Sequence, residues 1–343
     1  MTGQQILVLG AGSWGTALAM ILARNGNEVW LWSRNAEHVQ QMIATRQNAQ
    51  FLPDCHFSDA LHPTARLEEF VPQVNDIVVV VPSHGFRETL CLCAPYLTTS
   101  ARICWATKGL ENKTGLLLHQ VAEQVLGNQR LFGVLSGPSF AKEVVEGLPT
   151  AVTCASHSIQ YAQDLVKLFH NRTFRLYTST DIIGVQIGGA VKNIMAIAAG
   201  IADGLGFGAN TRAALITRSL VEIVRFGTAL GGQHETFIGL AGLGDLVLTC
   251  TDNQSRNRRF GYALAQGYNI KQAQTEIGQV VEGVQTTYEV NRLAQQHRID
   301  MPIVEQVNNV LQGIYTPFEA VQALLSRQPK PEFSYQLLAN SDQ

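Results

Sequence analysis

Residues 5–26 read QILVLGAGSWGTALAMILARNG, and this stretch determines the fold class of the chain. The apolar run at 5–9 predicts a buried strand, residues 10–15 follow the pattern G-x-G-x-x-G, and residues 16–25 have helical periodicity up to Gly26. Strand, glycine turn and helix in this order are typical of a βα unit that binds a dinucleotide, with the pyrophosphate at the helix N-terminus. The alternative is a chance turn, since the six-residue pattern alone is weakly specific.

The three glycines of this pattern have separate tasks in such a unit. Gly10 permits the tight turn, Gly12 lets the backbone approach the pyrophosphate, and Gly15 lets the helix and the strand pack closely. The sequence therefore predicts that these three positions form part of the cofactor site.

The end of the next strand indicates which dinucleotide is bound. Residues 28–32 (EVWLW) predict the second strand, and an enzyme strict for NAD has Asp or Glu at its carboxyl end to hold the ribose 2′-hydroxyl. This chain has Ser33, Arg34 and Asn35 there. Because a guanidinium can form two hydrogen bonds to a 2′-phosphate, the pattern favours NADP(H), with NAD(H) also accepted. The alternative is that Arg34 only faces solvent.

The remainder of the first half alternates strands and helices. Five further apolar runs predict strands, at 76–81, 101–106, 131–135, 151–155 and 174–177. Continuous apolar strands separated by helices are typical of a parallel sheet covered on both faces. From about Asp181 onward the pattern predicts helices only. We therefore expect an α/β, doubly wound (Rossmann-like) parallel sheet followed by an all-α C-terminal domain.

Length and charge set the organisation and the class of partner. The chain has 343 residues, above the usual single-domain range of about 50–200. We expect a dinucleotide-binding domain at 1–180, a helical substrate domain at 181–328 and a mobile tail at 329–343. The formal net charge of −2, with scattered charges, argues against nucleic-acid binding. Charged residues make up 15%, below the average of about 25%, which favours a homodimer or large cores.

The cellular context is also predicted from composition. None of the six cysteines forms a C-x-x-C pair, and we expect reduced core residues of a cytosolic protein. The N-terminal apolar run is the first strand, with no signal peptide pattern, so a cytoplasmic location is expected. The apolar stretch at 182–202 is long enough to cross a membrane, but its lysine, glutamine, asparagine and four glycines favour a buried helix without membrane insertion.

Lys192 is the most informative single residue, because it is the only charged side chain in the stretch 182–202. Burying an ammonium is costly unless it is compensated, and desolvation lowers its pKa toward neutrality. A lysine of this kind can donate and accept protons near pH 7. Two structural alternatives are that the side chain reaches the surface or pairs with a core carboxylate.

Three short segments follow predicted strands, where ligands bind in an open parallel sheet. Pro82-Ser83-His84 and Thr107-Lys108-Gly109 follow two of them, and Ser136-Gly137-Pro138-Ser139 follows a third and precedes a short predicted helix. Lys108 can place a positive charge over a substrate anion, and the turn from Gly137 to Ser139 can offer backbone amides. The alternatives are a surface lysine and an ordinary helix cap, and His84 fits a packing role best.

A second cluster lies in the helical half. Ser255 can cap a helix whose first turn holds Arg256 and Asn257, so that a guanidinium, an amide and the positive end of the helix converge on one anion. This set suits a phosphate, and the alternative is a solvated basic helix start. Asp245 follows a glycine-rich turn and either orients Lys192 or caps a helix.

Seven motifs together resemble the bacterial-type NAD(P)-dependent glycerol-3-phosphate dehydrogenases. In chain order they are GAGSWGTALA, WATKGLE, LSGPSFAKEV, GGAVKNIMAIAAGIADG, GLAGLGDLVLTCT, SRNRRFG and VVEGVQT. The resemblance covers nearly the whole chain, and several motifs in the right order are far more specific than the glycine pattern alone.

The resemblance implies the interconversion of dihydroxyacetone phosphate and sn-glycerol 3-phosphate, feeding glycerophospholipid synthesis, with Lys192 as the proton acceptor. It implies that the phosphorylated substrate contacts Lys108, Gly137, Ser139, Lys192, Asp245, Ser255, Arg256 and Asn257. It also implies that the dinucleotide contacts Ser13, Trp14, Arg34, Lys108, Ala141, Arg256, Val280 and Glu282. Of these, Ala141, Val280 and Glu282 rest on the resemblance entirely.

Two other functions are compatible with the same pattern. One is a two-domain reductase acting on a 3-hydroxy acid or a sugar acid, against which the basic cluster at 255–257 argues. The other is a dinucleotide sensor without catalysis, against which a lysine retained in an apolar helix argues.

Overall fold

The computed structural model describes residues 3–329 and 331–332. The predicted mobile tail at 329–343 lies largely outside these residues. Strands and helices alternate up to residue 179, and helices follow, as the sequence predicts. The strands are β1 (Gln5–Leu9), β2 (Glu28–Trp32), β3 (Gln47–Asn48), β4 (Leu52–His56), β5 (Leu61–Thr64), β6 (Asp76–Val79), β7 (Arg102–Trp105), β8 (Phe132–Ser136), β9 (Thr150–Ala155) and β10 (Phe174–Ser179).

The helices before residue 180 fill the connections between strands, and those after it form a helical layer. They are α1 (Ser13–Arg24), α2 (Ala36–Thr45), α3 (Leu67–Phe70), α4 (Phe86–Cys93), α5 (Leu118–Leu126), α6 (Ala141–Val145), α7 (Ile159–Phe169), α8 (Ile182–Gly204), α9 (Ala209–Ala229), α10 (His234–Phe237), α11 (Asp245–Thr251), α12 (Arg256–Ala265), α13 (Ile270–Ile277), α14 (Glu282–Gln296), α15 (Pro302–Leu311) and α16 (Pro317–Leu325).

The central sheet has the strand order β10-β9-β8-β7-β6-β1-β2-β5. Alternate residues of β1 enter different cores, since Ile6 and Val8 pack on one face of the sheet and Leu7 and Leu9 on the other. Both faces are therefore covered, as expected of a doubly wound sheet. The order reverses beside β1, and such a switch point creates a crevice for a ligand at the carboxyl ends of the strands.

The sheet departs from the predicted all-parallel arrangement at one pairing. β8 and β9 are antiparallel, whereas β9 and β10 are parallel to each other. The connection from β8 to β9 holds only α6, a helix of five residues. Five helical residues rise about 7–8 Å, whereas a strand of five residues is about 16 Å long. The helix is therefore too short to carry the chain back to the other end of the sheet, where a parallel strand would have to begin.

Two small features were missed by the sequence analysis. β5 adds a parallel edge strand beside β2, and β3 and β4 form a short antiparallel pair. β5 contains Pro63, which weakens the sequence signal of a strand and is tolerated at an edge.

The helical half is organised around α8, which is long and apolar enough to cross a membrane by length and composition. However, 89% of its most apolar window is buried inside the protein, so it is a core helix as predicted. α12 packs closely on α8 because glycines lie at the crossing. A Cβ on Gly200 would lie 1.9 Å from the Arg258 carbonyl oxygen, and one on Gly261 would lie 2.0 Å from that of Ile197.

The cysteines are unpaired, in agreement with the sequence analysis. Cys93, Cys104, Cys154 and Cys250 are buried. The expectation of core positions is wrong for the other two, since Cys55 is half-buried and Cys91 is exposed on α4.

Candidate active site

The turn between β1 and α1 has the geometry that a dinucleotide requires. Gly10 has a φ of +116°, and a Cβ there would lie 2.7 Å from the Val80 carbonyl oxygen. A Cβ on Gly15 would lie 1.8 Å from the Gly10 carbonyl oxygen, so helix and strand touch at this point. At Gly12 a Cβ would meet no heavy atom within 4 Å. The backbone at Gly12 therefore borders open space that a pyrophosphate can approach.

The N-terminus of α1 is free of side-chain capping. Gly12 is the N-cap residue, and no side chain there accepts from the first-turn amides. Ser13 donates its hydroxyl to the Phe51 carbonyl oxygen at 2.6 Å, so its side chain is engaged with the loop between β3 and β4. Trp14 is half-buried, with its ring centroid 6.4 Å from that of Phe174. Uncapped amides at the positive end of a helix fit a phosphate group.

Arg34 lies two residues past the end of β2 and is exposed. Among the described residues, no hydrogen bond or ion pair engages its guanidinium. The nearest acid along the chain is Glu37, in the first turn of α2. The guanidinium is thus available to a ligand at the carboxyl edge of the sheet, on the β2 side.

Lys192 lies on α8 where this helix crosses the end of β8. Two adjacent glycines permit the close approach, since a Cβ on Gly188 would lie 2.5 Å from the Ala241 carbonyl oxygen and one on Gly189 would lie 2.5 Å from the Ser136 hydroxyl. Lys192 follows one helical turn later, on the same side of α8. The sequence GGAVK therefore places the amine beside the carboxyl ends of the strands.

The Lys192 side chain is buried, with 7% of the residue exposed. Its ammonium donates to the Asp245 carboxylate and to the Thr249 hydroxyl, the latter at 2.8 Å. Burial lowers the pKa of Lys192 to about 7, although the Asp245 carboxylate opposes this shift, and the nearby Lys108 ammonium lowers the pKa further. Both protonation states are therefore accessible at neutral pH.

Asp245 joins the two lysines. One carboxylate oxygen accepts from Lys192, and the other accepts from Lys108 at 2.6 Å. Lys108 also donates to the Gly137 carbonyl oxygen at 3.3 Å. Asp245 is 1% exposed, and its side chain caps no helix. Of the two roles considered from the sequence, the contacts therefore favour that of orienting Lys192.

The turn after β8 adds Gly137 and Ser139 to this edge of the sheet. Gly137 has a φ of +149°, and a Cβ there would lie 2.9 Å from the Val152 Cα atom. The Ser139 hydroxyl donates to the Gly137 carbonyl oxygen at 2.9 Å. The sequence predicts the following helix at 140–146, and α6 spans Ala141–Val145.

The basic cluster opens α12 as predicted, with Ser255 as its N-cap accepting from the Arg258 amide at 3.2 Å. The Asn257 amide group donates to Asn193 at 3.0 Å, and its oxygen accepts from the Gly283 amide at 2.9 Å. Asn193 adjoins Lys192 in the chain, so the contact brings the start of α12 close to Lys192. Arg256 donates to Gln279 at 3.1 Å.

Glu282 is the first residue of α14 and accepts from the Ser83 hydroxyl at 3.1 Å. Burial raises the pKa of Glu282 to about 7, while Ser83 and the Arg256 guanidinium act in the opposite direction. Val280 is 43% exposed, just before α14, and Ala141 is half-buried. Both side chains are apolar, so the structure gives their positions but no side-chain hydrogen bond or ion pair that would indicate a role.

Comparison with known proteins follows the same division of the chain. Residues 5–162 match the family described as NAD-dependent glycerol-3-phosphate dehydrogenase N-terminus, and residues 181–322 match its C-terminus. The chain belongs to this dehydrogenase family.

Relatives and a solved structure extend the similarity over nearly the full length. The glycerol-3-phosphate dehydrogenase (NAD(P)+) of Bartonella henselae is 52% identical, covering 97% of this chain and 98% of its own. That of Yersinia pestis is 55% identical, covering 95% and 96% respectively. The crystal structure of glycerol-3-phosphate dehydrogenase from Coxiella burnetii has a TM-score of 0.93 at 50% identity, covering 95% of this chain and 100% of that one. A ketopantoate reductase from Ralstonia eutropha, at 16% identity and a TM-score of 0.59, shares the fold alone.

Within this dehydrogenase, the candidate site residues form two groups at one edge of the sheet. The first group borders the ends of β1 and β2 and comprises Gly10, Gly12, Ser13, Trp14, Gly15 and Arg34. The second group includes Asp245, which contacts Lys192 directly, and Lys108, which shares the Asp245 carboxylate with it. Its other members are Gly137, Ser139, Ser255, Arg256, Asn257 and Glu282. The side chain of Asn257 contacts Asn193 and Gly283 within the protein, and its contact with the substrate stays a prediction.

Three contributing residues were not assigned by the sequence analysis. Thr249 lies one turn after Asp245 on α11 and contacts the same amine, and this spacing of four was a usable signal. Asn193 was marked only by being a polar neighbour of Lys192 in an apolar stretch. Ser83 was noted at the end of β6, but its partner lies 199 residues away and could not be deduced.

A second concave feature of the dehydrogenase lies apart from this site. An apolar cavity of about 410 Å³ is lined by residues of α8, α9, α15 and α16, including Ile201, Leu215, Ile303 and Val321. None of the candidate site residues lines it. The volume of this cavity therefore does not mark the candidate active site.

Proposed function

We propose that this chain interconverts dihydroxyacetone phosphate and sn-glycerol 3-phosphate with NAD(P)H, a reaction that supplies glycerophospholipid synthesis. The observation that carries the proposal is the buried Lys192 ammonium held by Asp245 at the carboxyl edge of the sheet. Family membership and the open glycine turn support the use of a dinucleotide. When bound, the nicotinamide supplies or accepts the hydride.

Lys192 moves the proton in this proposal. During reduction its ammonium donates to the carbonyl oxygen of the substrate, and during oxidation the neutral amine accepts the hydroxyl proton. A pKa of about 7 suits both directions. Asp245 and Thr249 hold the amine in place, and Lys108 adds positive charge where negative charge develops on the substrate oxygen.

The start of α12 binds the substrate phosphate. Arg256 provides a guanidinium, and the N-terminus of this ten-residue helix provides a positive dipole end. Ser255 and Asn257 complete the set, with Asn257 fixed against Asn193. Binding energy from the phosphate, which does not react, positions the carbonyl carbon for hydride transfer.

Replacing Arg256 with alanine is expected to weaken recognition of the phosphate. Loss of a charge-assisted hydrogen bond corresponds to about a 10- to 100-fold drop in the ratio of kcat/KM for dihydroxyacetone phosphate over dihydroxyacetone. This ratio is the quantity to measure, because an accompanying effect on the dinucleotide cancels in it. Arg259→Ala removes an exposed arginine of the same helix and serves as the control. An unchanged ratio in Arg256→Ala would refute the phosphate role.

The same assay separates the proposed function from the two alternatives. NADPH absorbance should fall with dihydroxyacetone phosphate and hardly at all when the phosphate is omitted. Turnover of a 3-hydroxy acid or sugar acid partner instead would favour the related reductases. Binding of NADPH with no turnover across the substrate panel would favour a sensor.

We further propose that NADPH is preferred over NADH. The support is the exposed Arg34, without a protein partner among the described residues, and the lack of an acid at the end of β2. A carboxylate there would repel a 2′-phosphate, whereas a guanidinium attracts it.

Arg34→Ala is expected to lower the preference for NADPH over NADH by about 10-fold, measured as the ratio of kcat/KM values for the two cofactors. Turnover with NADH should change little. Arg175→Ala removes an exposed arginine of β10, at the opposite edge of the sheet, and should leave the ratio unaltered. Equal ratios in wild type and Arg34→Ala would contradict the proposal.

We also propose a homodimer and a cytoplasmic location. The low share of charged residues, 15%, supports a homodimer. The unpaired cysteines support a reducing, cytoplasmic location. We assign dinucleotide binding to residues 1–180 and the substrate pocket to residues 181–328.

A further inference from the structure

Ser83 connects the sheet to the helical half beside the cofactor edge. It opens the turn that follows β6 and is 4% exposed. Its hydroxyl donates to the Glu282 carboxylate, 199 residues later in the chain, at 3.1 Å. The segment 82–84 was noted in the sequence only as a strand end, and the proposed mechanism does not use it.

The space around the Ser83 hydroxyl is restricted by the neighbouring loop. Gly109 has a φ of +135°, and a Cβ there would lie 2.9 Å from the Ser83 hydroxyl and 3.5 Å from that of Thr286. Thr286 donates to the Glu282 carbonyl oxygen at 2.8 Å. The loop after β7, the turn after β6 and the first turn of α14 therefore meet at one point, with little freedom for the hydroxyl to turn away.

Three features stabilise the Glu282 carboxylate: the dipole of α14, the Arg256 guanidinium, and Ser83, which donates both its hydroxyl and its backbone N–H. The carboxylate lies in the first turn of α14, where the helix dipole favours negative charge. Arg256, on α12, is the charged side chain that faces it among the described residues, and Ser83 is its hydroxyl donor. An ionised carboxylate only accepts hydrogen bonds, so its counterpart on a dinucleotide is an N–H or O–H donor.

We propose that Ser83 is a positioning residue for dinucleotide binding, acting through Glu282. Its hydroxyl occupies one carboxylate oxygen and thereby aims the other at the amide or hydroxyl donors of the cofactor. The proposal rests on the proposed function and on the contact between Glu282 and the dinucleotide that the family resemblance implies. The new element is that Ser83, in the turn after β6, determines how tightly Glu282 binds the dinucleotide.

The first test measures the Kd of the Ser83→Ala variant for NADPH, using the fluorescence of the cofactor in the absence of substrate. A lost hydrogen bond to a charged group corresponds to about a 10-fold weaker Kd. Ser83→Cys keeps the shape but donates weakly, so it should resemble the alanine variant. Ser100→Ala, at an exposed serine before β7, is the control. NADPH binding by Ser83→Ala that matches wild type would overturn the proposal.

A double-mutant cycle with Glu282→Gln tests whether Ser83 acts through this carboxylate. If it does, Ser83→Ala should add less than 2-fold to the Kd in the Glu282→Gln background, although it costs about 10-fold alone. Additive effects would mean that Ser83 acts by another route and would reject the positioning role. Because the readout is binding, failure of turnover with dihydroxyacetone phosphate would count against the proposed function alone.

The pH dependence of the Kd gives a readout that a merely structural role would not move. In wild type the Kd should rise as pH falls through about 7, because protonation of Glu282 removes an acceptor. Ser83 lowers the pKa of Glu282, so its removal should move this rise to higher pH. An unmoved inflection in Ser83→Ala would contradict the proposal.

Discussion

Replacing Lys192 with methionine is expected to lower kcat by about 100-fold or more while leaving the Kd for NADPH near the wild-type value. Methionine keeps most of the side-chain volume in a buried site but can neither donate nor accept the proton. The proton must then come from water, although position 192 is buried. Lys192 is not among the residues proposed to contact the dinucleotide, so cofactor binding should persist.

Two controls make this result interpretable. Lys142→Met changes a lysine whose side chain is 72% exposed and should leave kcat unchanged. A thermal unfolding measurement on Lys192→Met checks that the helical core survives, since Asp245 retains its ion pair with Lys108. Near-normal turnover in a folded Lys192→Met protein would remove Lys192 from the mechanism.

The pH dependence of the wild-type reaction rates is a second test of the role of Lys192. Burial lowers the pKa of Lys192 to about 7, so the ammonium needed for reduction is lost as pH rises through this value. Reduction should therefore slow above pH 7, and oxidation, which needs the neutral amine, should speed up. Both limbs should be recorded at saturating NADPH or NADP⁺, because Glu282 also has a pKa of about 7. Lys192→Met should lack both limbs.

The sequence predicts this site to the extent that local patterns encode it. Lys192 is predicted to be buried because a single charge in an apolar helix has no solvated face to occupy, and α8 is indeed a core helix. The glycine turn is predicted because backbone freedom and close packing demand glycine at Gly10 and Gly15. Both are properties of a few adjacent residues.

Other features depend on contacts between segments that are distant in the chain, and these could not be predicted from the sequence. The antiparallel β8 and β9 pair depends on how far α6 can carry the chain across the sheet. The hydrogen bond from Asn257 to Asn193 is an example, because only the packing of α12 on α8 brings these two side chains together. Single-sequence patterns contain the elements but not which of them touch.

Asp245 combines a local signal, the glycine-rich turn before it, with a contact to a distant residue, Lys192. Its replacement by asparagine should have the second-largest effect on catalysis, after that of Lys192→Met. The exchange keeps the shape but leaves two ammonium groups, Lys108 and Lys192, facing a neutral amide. The carboxylate raises the pKa of Lys192, so its loss lowers that pKa further below the ordinary value. We expect kcat/KM for the reduction of dihydroxyacetone phosphate at pH 7 to fall by about 100-fold, because Lys192 is then both mostly deprotonated and poorly oriented.

The direction of the pH shift distinguishes this explanation from simple damage to the site. In Asp245→Asn the fall of the reduction rate and the rise of the oxidation rate should both move to lower pH, since both report the pKa of Lys192. A misfolded site would lose activity at every pH without moving either limb. Asp59→Asn makes the same chemical change at a fully exposed side chain and should leave the profile in place. If both changes in rate stay near pH 7 in Asp245→Asn, the carboxylate does not set the pKa of Lys192. The proposed role of Asp245 would then be refuted.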